Sequence, residues 1–243
     1  MQIPHRALRA YLVAVLCSTF GQSKSQLRTT LPFTMNCHHL KGKFSAVSFP
    51  LMSNALAGVL PERPQSKWNP YKKTISPGHI KYAALAIGDQ PTTGPDGKPV
   101  VYKFSKTKVL HLQKAPSDIN AIANCVARCT GINYDIVLVN FYEETPPGVT
   151  KLGLHLDNER LMDAETPITS VTFTEDAKYK TRFVVFTEPH KQKGDKQVVH
   201  LGHGDLLTAP LGTHYHGVLP DTVKDMRHVS SSRRICLTFR RIK

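Results

Sequence analysis

The chain has 243 residues, 40% of them hydrophobic, and 32 Lys and Arg stand against 18 Asp and Glu for a formal net charge of +14. This length and apolar content argue against a wholly disordered chain and allow one domain with a real core plus a tail. The charge favours polyanionic partners, nucleic acid or an anionic membrane surface, with a basic solvated face as the plain alternative. Five cysteines, at 17, 37, 125, 129 and 236, form no C-x-x-C pair, which argues against a disulfide scaffold or a zinc knuckle and fits a reducing compartment.

Residues 1–61 contain no acidic side chain. Arg6 and Arg9 precede the apolar run AYLVAVLC, which is too short to span a bilayer, and a Ser-, Thr-, Gln- and Lys-rich stretch follows. Residues 1–60 are therefore expected to be a basic, disordered leader. A transit peptide, a secretory signal and a plain leader share this pattern, and Met35 offers a later start. A transit peptide would send the protein to an organelle and a plain leader would leave it nuclear or cytoplasmic; no stable membrane association is expected.

Residues 60–100 are rich in Pro, Gly and Lys and read as loops and short strands. In KWNPYKK, Trp68 and Tyr71 sit among cations, the composition of a stacking and phosphate-binding surface or of a loop aromatic packed on the core. Asp96-Gly97 before VVYKF predicts a hairpin turn. The clearest helix is APSDINAIANCVARCTG, residues 115–131, with Ser117 or Asp118 as its cap, Gly131 as its stop, and Cys125 and Cys129 on one face as free thiols. Beyond it the signals are almost all strand: YDIVLVNFY, LGLHLD, ITSVTFT, RFVVFTE, KQVVHL, DLLTAP, HYHGVL and ICLTFRRI. Short antiparallel strands at this spacing predict a sandwich or barrel preceded by a mixed α/β section.

Three of these strands set polar groups against an apolar backing. In KLGLHLDNERL, leucines 152, 154 and 156 are expected to be that backing, so that His155 and Asp157 project together. Such a pair can grip one metal ion, with a third ligand to come from His200, His203, His214 or His216. Two imidazoles and one carboxylate are the ligand set of non-haem Fe(II) oxygenases, although an exposed pair without metal is the competing reading. In RRICLTFRR, Arg234, Cys236, Thr238 and Arg240 share one face, and Ile235, Leu237 and Phe239 the other. Two buried guanidinium groups call for an anion, and a dicarboxylate such as 2-oxoglutarate meets that need unless the arginines reach water at the strand ends. In VLVNFY, Asn140 and Tyr142 oppose Val137, Val139 and Phe141 in the same way.

Taken in order, VLVNFY, HLDNER, PITSVTF, HGDLL, YHGVLP and RICLTFR resemble the motifs of the AlkB family of Fe(II)- and 2-oxoglutarate-dependent dioxygenases, nearest its nucleic-acid-repair members. The likeness is firmest from Tyr134 onward and reaches back to about Lys72. It implies an α+β, mainly β fold with a dioxygenase domain at 61–243. Within that domain a double-stranded β-helix, or jelly-roll, core would occupy 130–243, preceded by a helix-containing section whose nucleotide-recognition lid is 61–115. It implies His155, Asp157 and His216 as iron ligands, His216 being preferred to its rival His214 because it precedes Gly-Val near a proline. Arg234 would bind the distal carboxylate of 2-oxoglutarate, Arg240 would support its other end and Asp157, and Asn140 and Tyr142 would hydrogen-bond it. Glu159 would face the target base, Tyr102 in VVYKFS would contact the flipped nucleotide, and Trp68 would add to substrate binding.

The cofactors so implied are Fe(II), 2-oxoglutarate and O2. The implied reaction is oxidative demethylation of N-alkylated bases, of the 1-methyladenine and 3-methylcytosine type, in DNA or RNA by a monomer, releasing formaldehyde, succinate and CO2 from a base flipped out of the stack. Hydroxylation of a protein or small molecule is the alternative, and a nucleic-acid-binding module without turnover is a third reading. Two departures from the family pattern stand out. Cys236 occupies a position usually filled by asparagine, a better donor. The run TFTEDAKYKTRF is longer than in the family and rich in lysine, so it is expected to be an added surface hairpin.

Overall fold

The period-two segments form strands where the sequence predicts them. The computed structural model describes residues 38–62, 67–69, 74–76, 80–104, 108–144 and 152–243. In chain order the elements are β1 (His38–Leu40), α1 (Phe49–Leu56), β2 (Lys67–Asn69), β3 (Thr74–Ser76), β4 (Ile80–Ala86), β5 (Val101–Phe104), β6 (Lys108–Lys114) and α2 (Ser117–Thr130). They continue as β7 (Ile136–Tyr142), β8 (Leu152–His155), β9 (Ile168–Thr174), β10 (Thr181–Phe186), β11 (Lys196–Leu201), β12 (Asp205–Ala209), β13 (His216–Val218), α3 (Val223–Met226) and β14 (Arg234–Arg240). A large sheet runs β1-β12-β9-β14-β7-β4-β6-β5, a smaller one runs β11-β10-β13-β8, and β2 pairs only with β3. All the described pairings are antiparallel except β4 with β6. The result is the expected mainly β jelly-roll.

Strand parity sorts the large sheet into two faces. Val137, Val139, Phe141, Ile235, Leu237 and Phe239 point outward, where Phe49, Met52 and Leu56 of α1 and Ile119, Ile122 and Val126 of α2 cover them. The opposite face looks into the barrel. There Ile168, Leu207 and Ala209 meet Phe183, Val185 and Val218 of the smaller sheet, and this second apolar layer holds the two sheets together. Burying one such side chain contributes roughly 1.5–3 kcal/mol, so the two layers fix the register of every strand between them.

Four expectations need correction. The leader does not extend to residue 60: β1 pairs with β12, and Phe44, Val47, Phe49, Met52 and Leu56 are core residues, because the segment carries its own apolar periodicity behind the basic stretch. Asp205 ties this segment down, accepting from the backbone N–H groups of Gly42 at 2.6 Å and Gly202 at 2.9 Å with His39 Nε2 at 3.0 Å. Burial works against that carboxylate, yet these donors hold its pKa below the ordinary value. The 61–115 section is not a separate lid throughout, since β4 pairs with β7 along seven residues inside the large sheet and β6 and β5 extend the same sheet. Pro116, without a side-chain hydrogen bond, holds the cap position of α2 in place of Ser117 or Asp118; the helix does end at left-handed Gly131. Asp96-Gly97 forms a tight turn closed by a Thr93–Pro99 bridge, and Val101–Phe104 then pairs with β6 instead of across that turn.

Gly204 turns with φ +73° directly against the Phe44–Ser45 backbone, where a Cβ would lie 2.6 Å from the Phe44 carbonyl carbon. Gly204→Ala should therefore destabilise the protein by about 2 kcal/mol or more, measured as a shift in urea midpoint. A midpoint equal to that of the unaltered protein would show that residues 44–45 do not pack there.

Candidate iron and 2-oxoglutarate site

β8 and β13 are neighbours, and their register sets His155 directly opposite His216. The approach is close at Gly217, where a Cβ would lie 2.6 Å from the Leu152 carbonyl oxygen. Asp157 follows the end of β8, anchored by its N–H to the Leu211 carbonyl at 3.0 Å. Among the described residues, His155, Asp157 and His216 form the one cluster able to hold a metal ion, their ligand atoms all within 4.8 Å of one another. His155 Nε2 lies 3.5 Å from Asp157 Oδ1 and His216 Nε2 lies 3.6 Å from Oδ2, longer than good hydrogen bonds. The rings are tilted, with centroids 4.3 Å apart.

Backbone carbonyls decide which nitrogens are free. His155 Nδ1 donates to the Gly153 carbonyl at 2.7 Å and His216 Nδ1 to the His214 carbonyl at 3.0 Å. With Nδ1 occupied in this way, the nitrogen that each ring turns toward Asp157 is Nε2, which is free to bind a metal in the neutral tautomer. His214 does not join the cluster; its Nδ1 lies 2.9 Å from Thr213 Oγ1, and β13 begins only at His216. His200 and His203 are also elsewhere, His203 Nδ1 standing 3.0 Å from the Thr174 carbonyl oxygen. The expected leucine backing is absent: Leu154 is 42% exposed and Leu152 and Leu156 are half-buried, because β8 is the edge strand of the smaller sheet. The pairing with β13, not a buried leucine face, aims His155.

Arg240 holds the cluster from behind. Its Nη2 donates to Asp157 Oδ2 at 2.6 Å, while Nη1 donates to Glu159 Oε2 at 3.2 Å and to the Tyr102 hydroxyl. Burial alone would raise the Asp157 pKa, but Arg240 and the neighbouring imidazoles hold it well below the ordinary carboxylate value. For Glu159 burial wins and the pKa is raised. Tyr102 is fully buried behind the site, and burial pushes its phenol well above the usual range. Tyr102 and Glu159, expected on the substrate, are bound to Arg240. The side chain of Trp68 and all of Tyr71 lie outside the described residues.

Arg234 stands on the same face of β14, only 1% exposed, and faces Tyr142 across the β7 register with its Cζ 3.7 Å from the ring centroid. Asn140 pairs with Cys236 and Tyr82 in the same layer. Arg234 Nη2 and Asn140 Oδ1 are both buried without a hydrogen-bond partner among the described residues. A buried guanidinium with an open donor needs an anion. The triad and this donor together fit iron(II) and a dicarboxylate. Sequence reasoning missed Tyr179 and Asp221: Tyr179, from the run expected to be a surface hairpin, is 1% exposed and accepts from Arg234 Nη1 at 2.8 Å. Nothing in its lysine-rich neighbourhood signals that burial.

A jelly-roll with this triad and arginine pair has the architecture of an Fe(II)- and 2-oxoglutarate-dependent dioxygenase, and residues 54–240 match the 2OG-Fe(II) oxygenase superfamily, to which the chain belongs. Within it the similarity is consistent with the AlkB family. The chain is 33% identical over 134 residues to the DNA oxidative demethylase ALKBH2 of Homo sapiens, a stretch covering 51% of this chain and 46% of that protein. It is 30% identical over 127 residues to the Bos taurus protein of the same name, covering 51% and 43% respectively. The chain thus matches about half the length of these curated relatives or less. A solved structure of OsALKBH1 aligns with a TM-score of 0.49 at 16% identity, over 87% of this chain and 100% of that one.

Asp157→Ala should abolish binding of Mn(II), used as an iron surrogate in calorimetry without O2, because it removes the central ligand. His214→Ala should leave Mn(II) affinity within about twofold. Loss of binding in the His214 variant would reverse the assignment of the third ligand.

Proposed function

We propose that this protein oxidatively demethylates N-alkylated bases of DNA or RNA, acting as a monomer with Fe(II), 2-oxoglutarate and O2. The observation that carries the reading is the His155–Asp157–His216 cluster beside a buried Arg234 with an open donor. The likeness to enzymes named DNA oxidative demethylases supports the choice of substrate, as does the net charge of +14.

His155 and His216 would hold the metal through Nε2 and Asp157 through a carboxylate oxygen, with Arg240 keeping that carboxylate ionised and oriented. Arg234 would bind the far carboxylate of the cosubstrate by its fork, over the Tyr142 ring. Iron(II) and 2-oxoglutarate held there would, with O2 as oxidant, supply the chemistry to hydroxylate an N-methyl group, one oxygen atom going to succinate, released with CO2, and the other to the methyl group, which leaves as formaldehyde. Tyr102, Glu159 and Tyr142 exclude water from behind the cluster, while His155, on the edge strand, is the most open of the three ligands. A base leaves the stack to reach that side. The full burial of Tyr102 against Arg240, which withholds it from a flipped nucleotide, favours the second reading, hydroxylation of a protein or small molecule.

The protein with Fe(II), ascorbate and 2-oxoglutarate should release formaldehyde from oligonucleotides carrying 1-methyladenine or 3-methylcytosine, and Asp157→Ala should reduce that release by a factor of 100 or more. Succinate formation without formaldehyde from any methylated DNA or RNA oligonucleotide would overturn the base-demethylation reading and favour the second.

A further inference from the structure

Arg240 lies against two carboxylates, whereas Arg234 makes no ion pair with the described residues. Its Nη1 instead donates to Tyr179 Oη at 2.8 Å, and the Tyr179 hydroxyl donates in turn to Asp221 Oδ2 at 2.9 Å. All three side chains are buried, at 1%, 1% and 4% exposure. The relay joins β14 to the β9–β10 connection and to the turn before α3, so three separate segments of chain converge on one guanidinium. Because the phenol gives its only proton to Asp221, it faces Arg234 purely as an acceptor. Burial pushes the Tyr179 phenol up to about 12, so the proton stays in place across the working pH range. This arrangement fixes the plane of the fork and leaves Nη2 without an acceptor.

We propose that Asp221, acting through the Tyr179 hydroxyl, is the resident counter-anion of Arg234: it keeps the guanidinium buried and oriented while no dicarboxylate is bound, and it limits how tightly a dicarboxylate binds. Tyr179 and Asp221 are thus positioning residues that set the affinity for 2-oxoglutarate. A carboxylate two hydrogen bonds from Arg234 offsets part of its positive potential, and inside a protein that influence reaches several ångströms. An incoming distal carboxylate therefore meets a cation already partly neutralised. The proposal rests on the family's cosubstrate and not on the base substrate above, so its test omits nucleic acid and either reading can fail alone.

The test is calorimetric binding of 2-oxoglutarate to the Mn(II)-loaded protein without O2, with the melting temperature of the ligand-free protein measured beside it. Asp221→Asn keeps an acceptor for the Tyr179 hydroxyl and removes the charge. It should lower the ligand-free melting temperature and yet tighten 2-oxoglutarate binding, by a factor on the order of ten. A residue that merely buttressed the fold would lose affinity along with stability. Tyr179→Phe keeps both charges but cuts the link, so the fork loses its fixed plane and binding should weaken by about tenfold. In steady state, with succinate formation followed in the absence of nucleic acid, both changes should fall on the KM for 2-oxoglutarate and not on kcat. Unchanged or weaker binding in Asp221→Asn overturns the counter-anion role, and unchanged binding in Tyr179→Phe overturns the relay. If Asp221→Asn does not fold, Tyr179→Phe and Asp221→Glu decide: Asp221→Glu keeps the charge and should bind within about threefold of the original, and tighter binding there overturns the proposal.

Discussion

Two guanidinium groups on the inner face of one strand are the constraint that organises this protein. β14 runs between β7 and β9, and its parity sends Arg234 and Arg240 into the barrel while Ile235, Leu237 and Phe239 anchor the opposite face. A charge so placed is tolerated only with partners that satisfy its donors. Each arginine solves the problem differently. Arg240 gathers Asp157, Glu159 and Tyr102, so one carboxylate serves both as its counter-ion and as a metal ligand. Arg234 gathers Tyr142, Tyr179 and, through Tyr179, Asp221, and keeps a donor in reserve.

The register that makes this possible comes from outside the barrel. A slip of one residue between β7 and β14 would turn both arginines toward the helices and Phe239 toward the site. The apolar layer of α1 and α2 forbids it, because Val137, Val139, Phe141, Ile235, Leu237 and Phe239 are matched to Phe49, Met52, Ile119 and Ile122. α1 in turn depends on the turn at Phe44–Ser45, pressed against Gly204, and on Asp205 gripping the Gly42 N–H. Residues far from the metal cluster thus hold the geometry of its ligands.

Alternation made most of this readable in the sequence. The strands from β7 to β14 follow period-two patterns, and the same-face sets Arg234/Cys236/Thr238/Arg240 and Asn140/Tyr142 emerge from parity alone. The third ligand needed more than parity: His214 and His216 share it, and only the point where β13 begins, together with its pairing to β8, separates them. What escaped was set by tertiary context. Leu154 alternates like a core residue but lies on an edge strand, Phe44 and Met52 follow a basic stretch that looks like tail, and Tyr179 sits between lysines yet is enclosed. A local pattern gives a residue's face, and the neighbouring element decides whether that face is covered.

The burial of the site is graded from one arginine to the other side of the cluster. The Arg234 end is closed by Tyr142 and Tyr179, 5% and 1% exposed, whereas the His155 side chain is 33% exposed and Leu154 beside it is 42% exposed. A small dianion suits the first environment, where its desolvation is offset by a preformed donor. The edge position of β8, which denies His155 a buried backing, therefore leaves the metal cluster open on the His155 side.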